Sequence, residues 1–276
     1  MLLSIEKEVN RLYKSSTIVP IRFSEWMYNL VPVRNKTREI RLCIYFRNLN
    51  KVSLKDNYPL PNMDHILQRV VGSSRISLLD GYSRYNQILV HRDDQLKITF
   101  TTPWGTFMYA KMPFGLKNAG VTFQWAMDIA FANEKYVFLV IYLDGLTTFS
   151  KSDGDHLHHL RIVFQKCRKF GISLNPKKSL SAMEKGNLLG HIISKDGIRI
   201  NPARVQAIQQ FDFPRNKKQI QSFNAKIFFL RIFIPNLAEH LKEMIDMLEN
   251  DNEVKWSLEA KKSFHVVKFV LYTLVF

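Results

Sequence analysis

A chain of 276 residues can form one large domain or two smaller ones. Its 46% hydrophobic and 12% aromatic content excludes a disordered tail, and two cysteines, Cys43 and Cys167, exclude a disulfide framework and a cysteine-spaced metal site. Forty Lys and Arg against 24 Asp and Glu leave a formal charge of +16, which attracts polyanions: nucleic acid, or as its rival an anionic membrane surface, although no basic amphipathic anchor stands out.

In chain order, the start Met1-Leu2-Leu3-Ser4-Ile5-Glu6-Lys7-Glu8 is interrupted by charge at once and reads as no signal peptide. No apolar stretch approaches the ~20 residues of a membrane helix. A reducing, intracellular location fits the cysteine usage. Residues 1–30 are loosely patterned. Val31–Val33 and Ile40–Tyr45 read as strands around the basic turn Arg34–Arg38. Tyr58-Pro59-Leu60-Pro61 is extended, because each proline disfavours a helix before it. Asp64–Val71 reads as a helix stopped by Gly72, and Arg75–Leu79 as a strand ending at Asp80. Tyr85–Val90 and Leu96–Thr101 alternate like a hairpin, and Val121–Ala132 has helical spacing.

Val137–Ile141 and Leu146–Phe149 flank Tyr142-Leu143-Asp144-Gly145, a short hairpin with an acidic tip. Ser152 or Asp153 caps a helix that runs to Phe170 and ends at Gly171, with Leu157, Leu160, Phe164, Cys167 and Phe170 as its inner face. His156, His158 and His159 on this helix read as a solvated face rather than a zinc site, since no further ligand lies near in sequence. Leu188–Ile193 reads as a strand. From Asn201-Pro202, a cap followed by proline at the first helical position, the chain turns helical, near 203–211, 216–233, 236–250 and 257–272. The greasy tail from Phe264 reads as a buried helix or a cut-off element. Strands interleaved with helices favour an α+β or α/β architecture, with a candidate domain boundary near residue 200.

Asp80 and Asp144 each fall at the end of an apolar strand or in the turn beside one. Neighbouring strands would bring the two carboxylates together, which is tolerable mainly with a cation between them; hard oxygen ligands suit Mg²⁺. Taken alone, Asp80-Gly81 and Asp144-Gly145 read as turn signals ahead of metal ligands.

The words around them occur in a fixed order: Arg41–Lys51, Tyr58-Pro59-Leu60-Pro61, Leu79–Gln87, Met112-Pro113-Phe114-Gly115-Leu116-Lys117-Asn118-Ala119, the Asp144 hairpin, then Leu189-Gly190-His191-Ile192-Ile193-Ser194. Together they resemble the reverse transcriptase of gypsy-type LTR retrotransposons from about residue 18 onward. The resemblance implies an α+β right-hand polymerase: a lead-in over 1–30, fingers and palm over 31–199, and a helical thumb or connection-like region over 200–276 that ends before any RNase H domain. It implies Mg²⁺ held by Asp80 and Asp144, with Lys178 protonating the leaving pyrophosphate. Arg41 and Lys36 would hold the triphosphate, Tyr85 would be the steric gate, and Phe114 and Gly115 would line the nucleotide pocket. Leu189, Gly190 and His191 would form a primer grip. The implied partners are an RNA or DNA template with primer and deoxynucleoside triphosphates, with no membrane, inside a cytoplasmic virus-like particle or the nucleus.

Several positions depart from the family pattern. Gly145 stands where the hairpin has its second aspartate, Tyr45 replaces an aspartate, and Arg84 and Arg38 replace glycines. Gly120 replaces a helix-starting proline, and Ala225 and Ile232 replace a glycine and an arginine. The expectation is an RNA-directed DNA polymerase impaired by Gly145; the alternative is a catalytically inactive nucleic-acid-binding remnant of the same fold.

Overall fold

Ile5, Val9 and Leu12 recur at helical spacing and are buried along one side of α1 (Leu2–Lys14). The N-terminal stretch is therefore an amphipathic helix, where the sequence reading leaves it loosely patterned. The computed structural model describes residues 2–34, 40–249 and 256–273. Lys36 and Arg38 lie outside them.

The elements that follow are β1 (Ile18–Pro20), β2 (Tyr28–Arg34), β3 (Ile40–Ile44), α2 (Arg47–Val52), α3 (Met63–Val70), β4 (Arg75–Asp80), α4 (Arg92–Gln95), β5 (Thr99–Thr102) and β6 (Gly105–Tyr109). Then come α5 (Ala119–Ala130), β7 (Leu139–Tyr142), β8 (Gly145–Ser150), α6 (Asp153–Phe170) and β9 (Leu180–Met183). The remainder is β10 (Lys185–Leu188), β11 (His191–Ser194), β12 (Gly197–Ile200), α7 (Pro202–Gln209), α8 (Lys217–Phe228), α9 (Leu237–Glu249) and α10 (Leu258–Thr273). The fold is α+β, built on mainly antiparallel sheets. It divides into two compact units, Met1–Glu184 and Lys185–Phe276.

The first unit holds two sheets. One is five-stranded, β1-β6-β5-β2-β3, with β2 and β5 parallel and the other pairs antiparallel. Its core joins α1 to Ile18, Tyr28, Phe46, Phe100 and Tyr109. The other is four-stranded, β7-β8-β4-β9, antiparallel throughout. Leu79, Ile141 and Leu146 from its strands pack with Phe123 and Met127 of α5 and Leu160 and Val163 of α6. Burying a side chain of this size contributes about 1.5–3 kcal/mol, so α5 and α6 hold the strands that carry Asp80 and Asp144.

The expected hairpin over Tyr85–Thr101 is not formed. Arg84–Gln87 is a 3₁₀ turn and Arg92–Gln95 a single helical turn, and β5 pairs instead with β6 across Pro103-Trp104. Tyr85 is turned inward against Phe123; its burial comes from a tertiary neighbour and imitates strand alternation in the sequence.

The cap of α6 is as expected: Ser152 Oγ accepts from Asp155 N–H, and Gly171 ends the helix in the left-handed region at φ 67°. Its buried face is not. His156, Leu160, Val163 and Cys167 point inward, while Leu157, Phe164 and Phe170 are exposed. His156 is thus no solvated histidine. Its Nε2 lies 2.7 Å from Ser77 Oγ and its Nδ1 2.9 Å from Ser150 Oγ, which also meets His159 Nδ1 at 2.7 Å. Burial pushes the His156 imidazole below its usual value, and the neighbouring His159 and Arg75 add to this; burial lowers His159 too.

The second unit joins the three-stranded meander β10-β11-β12 to four helices. The expected strand over Leu188–Ile193 is two strands, with Leu189 (φ 50°) and Gly190 (φ 83°) making the two-residue turn between them. Asn201 Oδ1 caps α7 and Pro202 takes its first turn, as read from the sequence. Val205, Ile220, Phe223, Ile227, Phe264 and Val267 form the centre of this unit's core. The tail is a packed helix, α10, burying Ala260, Phe264, Val267 and Leu271. No helix among the described residues is long and apolar enough to cross a membrane.

Candidate active site

Asp80 ends β4, and its antiparallel register places it directly opposite Gly145, the first residue of β8. Gly145 in turn pairs with Tyr142 of β7, so Leu143 and Asp144 form a two-residue hairpin loop. Two acidic residues 64 positions apart (144 − 80) thereby share one end of one sheet. Gly81 N–H donates to Asp144 O at 3.0 Å, and Asp80 O accepts from Asn175 N–H at 2.7 Å. Asp80 N–H donates to Ser179 Oγ at 3.1 Å. Both aspartates are therefore held through their backbones.

The positive φ of this loop belongs to Leu143, at 52°. The sequence reading gives the turn to Asp144-Gly145, but Gly145 lies outside the left-handed region, and a β-carbon there would meet Tyr142 O at an ordinary 3.6 Å. A side chain fits at position 145, so the backbone does not require glycine there.

Gln124 is a positioning residue that the sequence reading did not select. Its side chain is fully buried on α5. Its Oε1 accepts from Leu143 N–H at 2.7 Å, while its Nε2 donates to Asp128 Oδ1 at 2.9 Å and reaches Ile141 O at 3.4 Å. Asp128 also accepts from Tyr58 Oη and Lys135 Nζ, both at 2.6 Å. The Asp128 carboxylate holds the Tyr58 phenol in its protonated form and pushes it up to about 12. The signal in the sequence is a polar residue within the apolar spacing of a helix.

Arg84 Nε lies 2.5 Å from Asp144 Oδ2, and Lys178 Nζ lies 3.9 Å from Asp80 Oδ2. Arg84 and its neighbour Ser83 are both left-handed, at φ 44° and 53°, a conformation that costs an ordinary residue roughly 1–2 kcal/mol. The loop is pinned despite that cost: Gln87 Nε2 donates to Tyr82 O at 2.6 Å and to Ser173 O at 3.1 Å, and its Oε1 accepts from Ser173 N–H at 2.6 Å.

A cavity of about 520 Å³ opens beside these groups, lined among others by Arg11, Arg41, Asp80, Arg84, Phe114 and Lys178. Four of the residues selected from the sequence therefore meet in one space, namely Asp80, Arg41, Phe114 and Lys178, and Asp144 joins them through Arg84. Tyr85 packs behind Phe114 with ring centroids 5.1 Å apart. Burial raises its phenol, with the Asp144 carboxylate adding to the shift and Arg84 opposing it. Gly115 lines a neighbouring cavity of about 590 Å³ with Tyr45, whose ring lies under the Arg47 guanidinium at 4.8 Å. Arg11 and Glu8, paired at 2.6 Å on α1, also line the first cavity and have no site role in the sequence reading. Lys36 lies outside the described residues.

Leu189, Gly190 and His191 belong to the second unit. A β-carbon on Gly190 would collide with the Arg204 guanidinium, which lies over the Phe229 ring at 3.9 Å. His191 stacks on Phe229 with centroids 4.7 Å apart.

Two hard carboxylate donors at adjacent strand ends suit Mg²⁺, which is commonly held by one or two carboxylates and completed by substrate phosphates and water. Among the described residues no group of three or more His, Cys, Asp or Glu side chains is placed to hold a metal. The donor set fits an ion that shares its shell with a phosphate ligand.

Residues 33–193 match the family described as Reverse transcriptase (RNA-dependent DNA polymerase). The chain is 30% identical over 274 residues to the Retrovirus-related Pol polyprotein from transposon 297 of Drosophila melanogaster, across 98% of this chain and 26% of that protein. It is 28% identical over 268 residues to the Transposon Tf2-3 polyprotein of Schizosaccharomyces pombe, across 96% of this chain and 20% of that protein. The chain thus spans about a quarter or less of the length of these relatives. Its fold matches a foamy viral protease-reverse transcriptase in complex with double-stranded DNA, with TM-score 0.88 and 22% identity over 98% of this chain and 48% of that one. A foamy viral protease-reverse transcriptase in complex with an RNA/DNA hybrid matches with TM-score 0.82 and 22% identity, over 98% of this chain and 37% of that one.

Proposed function

The chain belongs to the reverse transcriptase (RNA-dependent DNA polymerase) family, and we propose that its first unit carries a nucleotidyl-transfer site of the gypsy type whose rate is impaired by Gly145. Reverse transcriptases generally use Mg²⁺; bound at this site, two such ions would supply activation of a primer 3′-hydroxyl and charge stabilisation of the leaving pyrophosphate. In this reading Asp80 and Asp144 are the carboxylates that hold the ions. Arg41 grips the triphosphate through the planar fork of its guanidinium, and Lys36 assists it. Lys178, already beside Asp80, delivers a proton toward the pyrophosphate. Tyr85, backed by Phe114, rejects a ribose 2′-hydroxyl, and Gly115 lines the pocket. Leu189, Gly190 and His191 grip the primer, with residues 31–199 acting as fingers and palm and 200–276 as a thumb-like region. The partners are a template with primer and deoxynucleoside triphosphates, within a virus-like particle or the nucleus.

The observation that carries this reading is the register of Asp80 opposite position 145, with Asp144 in the adjoining loop and Arg41, Phe114 and Lys178 in one cavity. Loss of the carboxylate at 145 costs a few kcal/mol of transition-state stabilisation, on the order of 10²–10⁴ in rate. The test is Mg²⁺-dependent primer extension. Wild type extends weakly or not at all, Gly145→Asp recovers part of the rate, and Asp80→Asn abolishes that recovery. Robust extension by wild type removes the claim of impairment.

A second reading, a nucleic-acid-binding remnant without catalysis, is favoured by the +16 charge and by the Arg84–Asp144 pair. Its test is binding to a primer–template duplex across a salt series; affinity that ignores salt contradicts phosphate-driven binding.

A further inference from the structure

We propose that Arg84 is a built-in cation holding the Asp144 carboxylate, so that a divalent ion reaches Asp144 only when the Arg84–Asp144 pair opens. The inference rests on the metal-site reading given above. Three observations lead to it. Arg84 Nε sits 2.5 Å from Asp144 Oδ2, an oxygen of the carboxylate that reading gives to the ion. The backbone reaches this contact from a left-handed conformation, φ 44°, next to a second left-handed residue, Ser83 at φ 53°. Such outliers persist where surrounding structure over-determines them, and here the Gln87 amide pins the loop to Tyr82 and Ser173. Glycine adopts this conformation without cost and carries no charge. At Arg84 the chain thus accepts a strained backbone and gains a cation on the carboxylate.

The charge balance agrees. Paired carboxylates at adjoining strand ends repel unless a cation is near. Asp80 has Lys178 at 3.9 Å and Asp144 has Arg84, so the site is already neutralised by its own side chains. A divalent ion approaching Asp144 meets a guanidinium bound to one of its carboxylate oxygens, and the positive charge of that guanidinium. Gly145 leaves no second carboxylate in the hairpin onto which Arg84 could shift while the ion binds. Arg84 thus makes the site selective against the metal.

The experiment is titration of the full chain with Mn²⁺, which takes the same oxygen ligands, with free ion followed by electron paramagnetic resonance and without nucleotide or nucleic acid. Wild type is compared with Arg84→Gly, Arg84→Asn and Arg84→Gly/Asp144→Asn. Glycine and asparagine both tolerate positive φ, and either variant alone carries the comparison if the other folds poorly. The expected result is an affinity for one Mn²⁺ raised roughly tenfold or more in Arg84→Gly and Arg84→Asn, with the gain lost in the double variant. Saturable binding equal in wild type and both single variants, or a gain that survives Asp144→Asn, overturns the role of Arg84 and leaves the metal-site reading standing. No saturable binding in any variant overturns the role of Arg84 as well, because its removal then admits no ion, while Mg²⁺-dependent primer extension by Gly145→Asp remains the separate test of the metal-site reading.

Discussion

Replacing Gly145 with aspartate restores a third carboxylate, and the register fixes where it goes. Residues 80 and 145 are directly opposite in an antiparallel pair, so their side chains share a face with β-carbons about 4.5–5.5 Å apart. The backbone at 145 accepts a side chain, with 3.6 Å between its β-carbon and Tyr142 O. Without metal the new pair is a like-charge contact, costing about 0.2–1 kcal/mol. With Mg²⁺ the same group becomes a ligand. An ion that binds only the folded state at a hundred times its dissociation constant adds about 2.7 kcal/mol. At ~2–4 °C per kcal/mol for a unit of this size, Mg²⁺ raises the melting temperature of Gly145→Asp by about 5–11 °C. Wild type, with two carboxylates each already beside a cation, responds much less. Thermal melts by circular dichroism with and without Mg²⁺ read the shift, and primer extension reads the accompanying recovery. A Gly145→Asp protein that melts identically in the two buffers refutes the argument that position 145 shares the face of Asp80.

Three further outcomes are expected. Stability falls as pH drops below the ordinary histidine value of ~6.5, because the unfolded chain takes up protons that buried His156 and half-buried His159 refuse; urea midpoints between pH 7.5 and 5 measure it, and a flat series, or a slope undiminished by His156→Gln, contradicts it. Gln124→Leu leaves Leu143 N–H without its buried acceptor, costing about 1–3 kcal/mol in urea denaturation; a change under ~0.5 kcal/mol removes Gln124 as the holder of the hairpin. Phe223→Ala empties the centre of the helical unit's core and lowers stability by about 3–5 kcal/mol, seen as an earlier denaturant transition; an unmoved transition contradicts that packing.

Local chemistry made much of this fold readable. The α6 cap at Ser152, its stop at Gly171 and the Asn201-Pro202 start of α7 are each set within a few residues, and all three stand as read. The buried face of α6 was not readable. Leu157 and Phe164 on one side and His156 and Val163 on the other are both seven apart, so both fit a helical stripe. What selects His156 is a pair of hydroxyls, Ser77 and Ser150, supplied by strands β4 and β8. The α1 helix is not legible in the sequence, because its charged residues mask three apolar positions that only the five-stranded sheet makes use of.

The order of short words along the chain was enough to determine the family and the class of fold and to single out Asp80 and Asp144 as candidates, because each word records a local turn, strand end or cap whose residue types are constrained by backbone geometry. The tertiary structure alone decided that Asp80 faces position 145, that Gln124 holds the loop between them, and that Arg84 rests on Asp144. These are contacts across 19 to 65 residues of chain, set by strand register and by the packing of helices on a sheet, and no local pattern encodes the distance between two side chains that meet only after the core has closed.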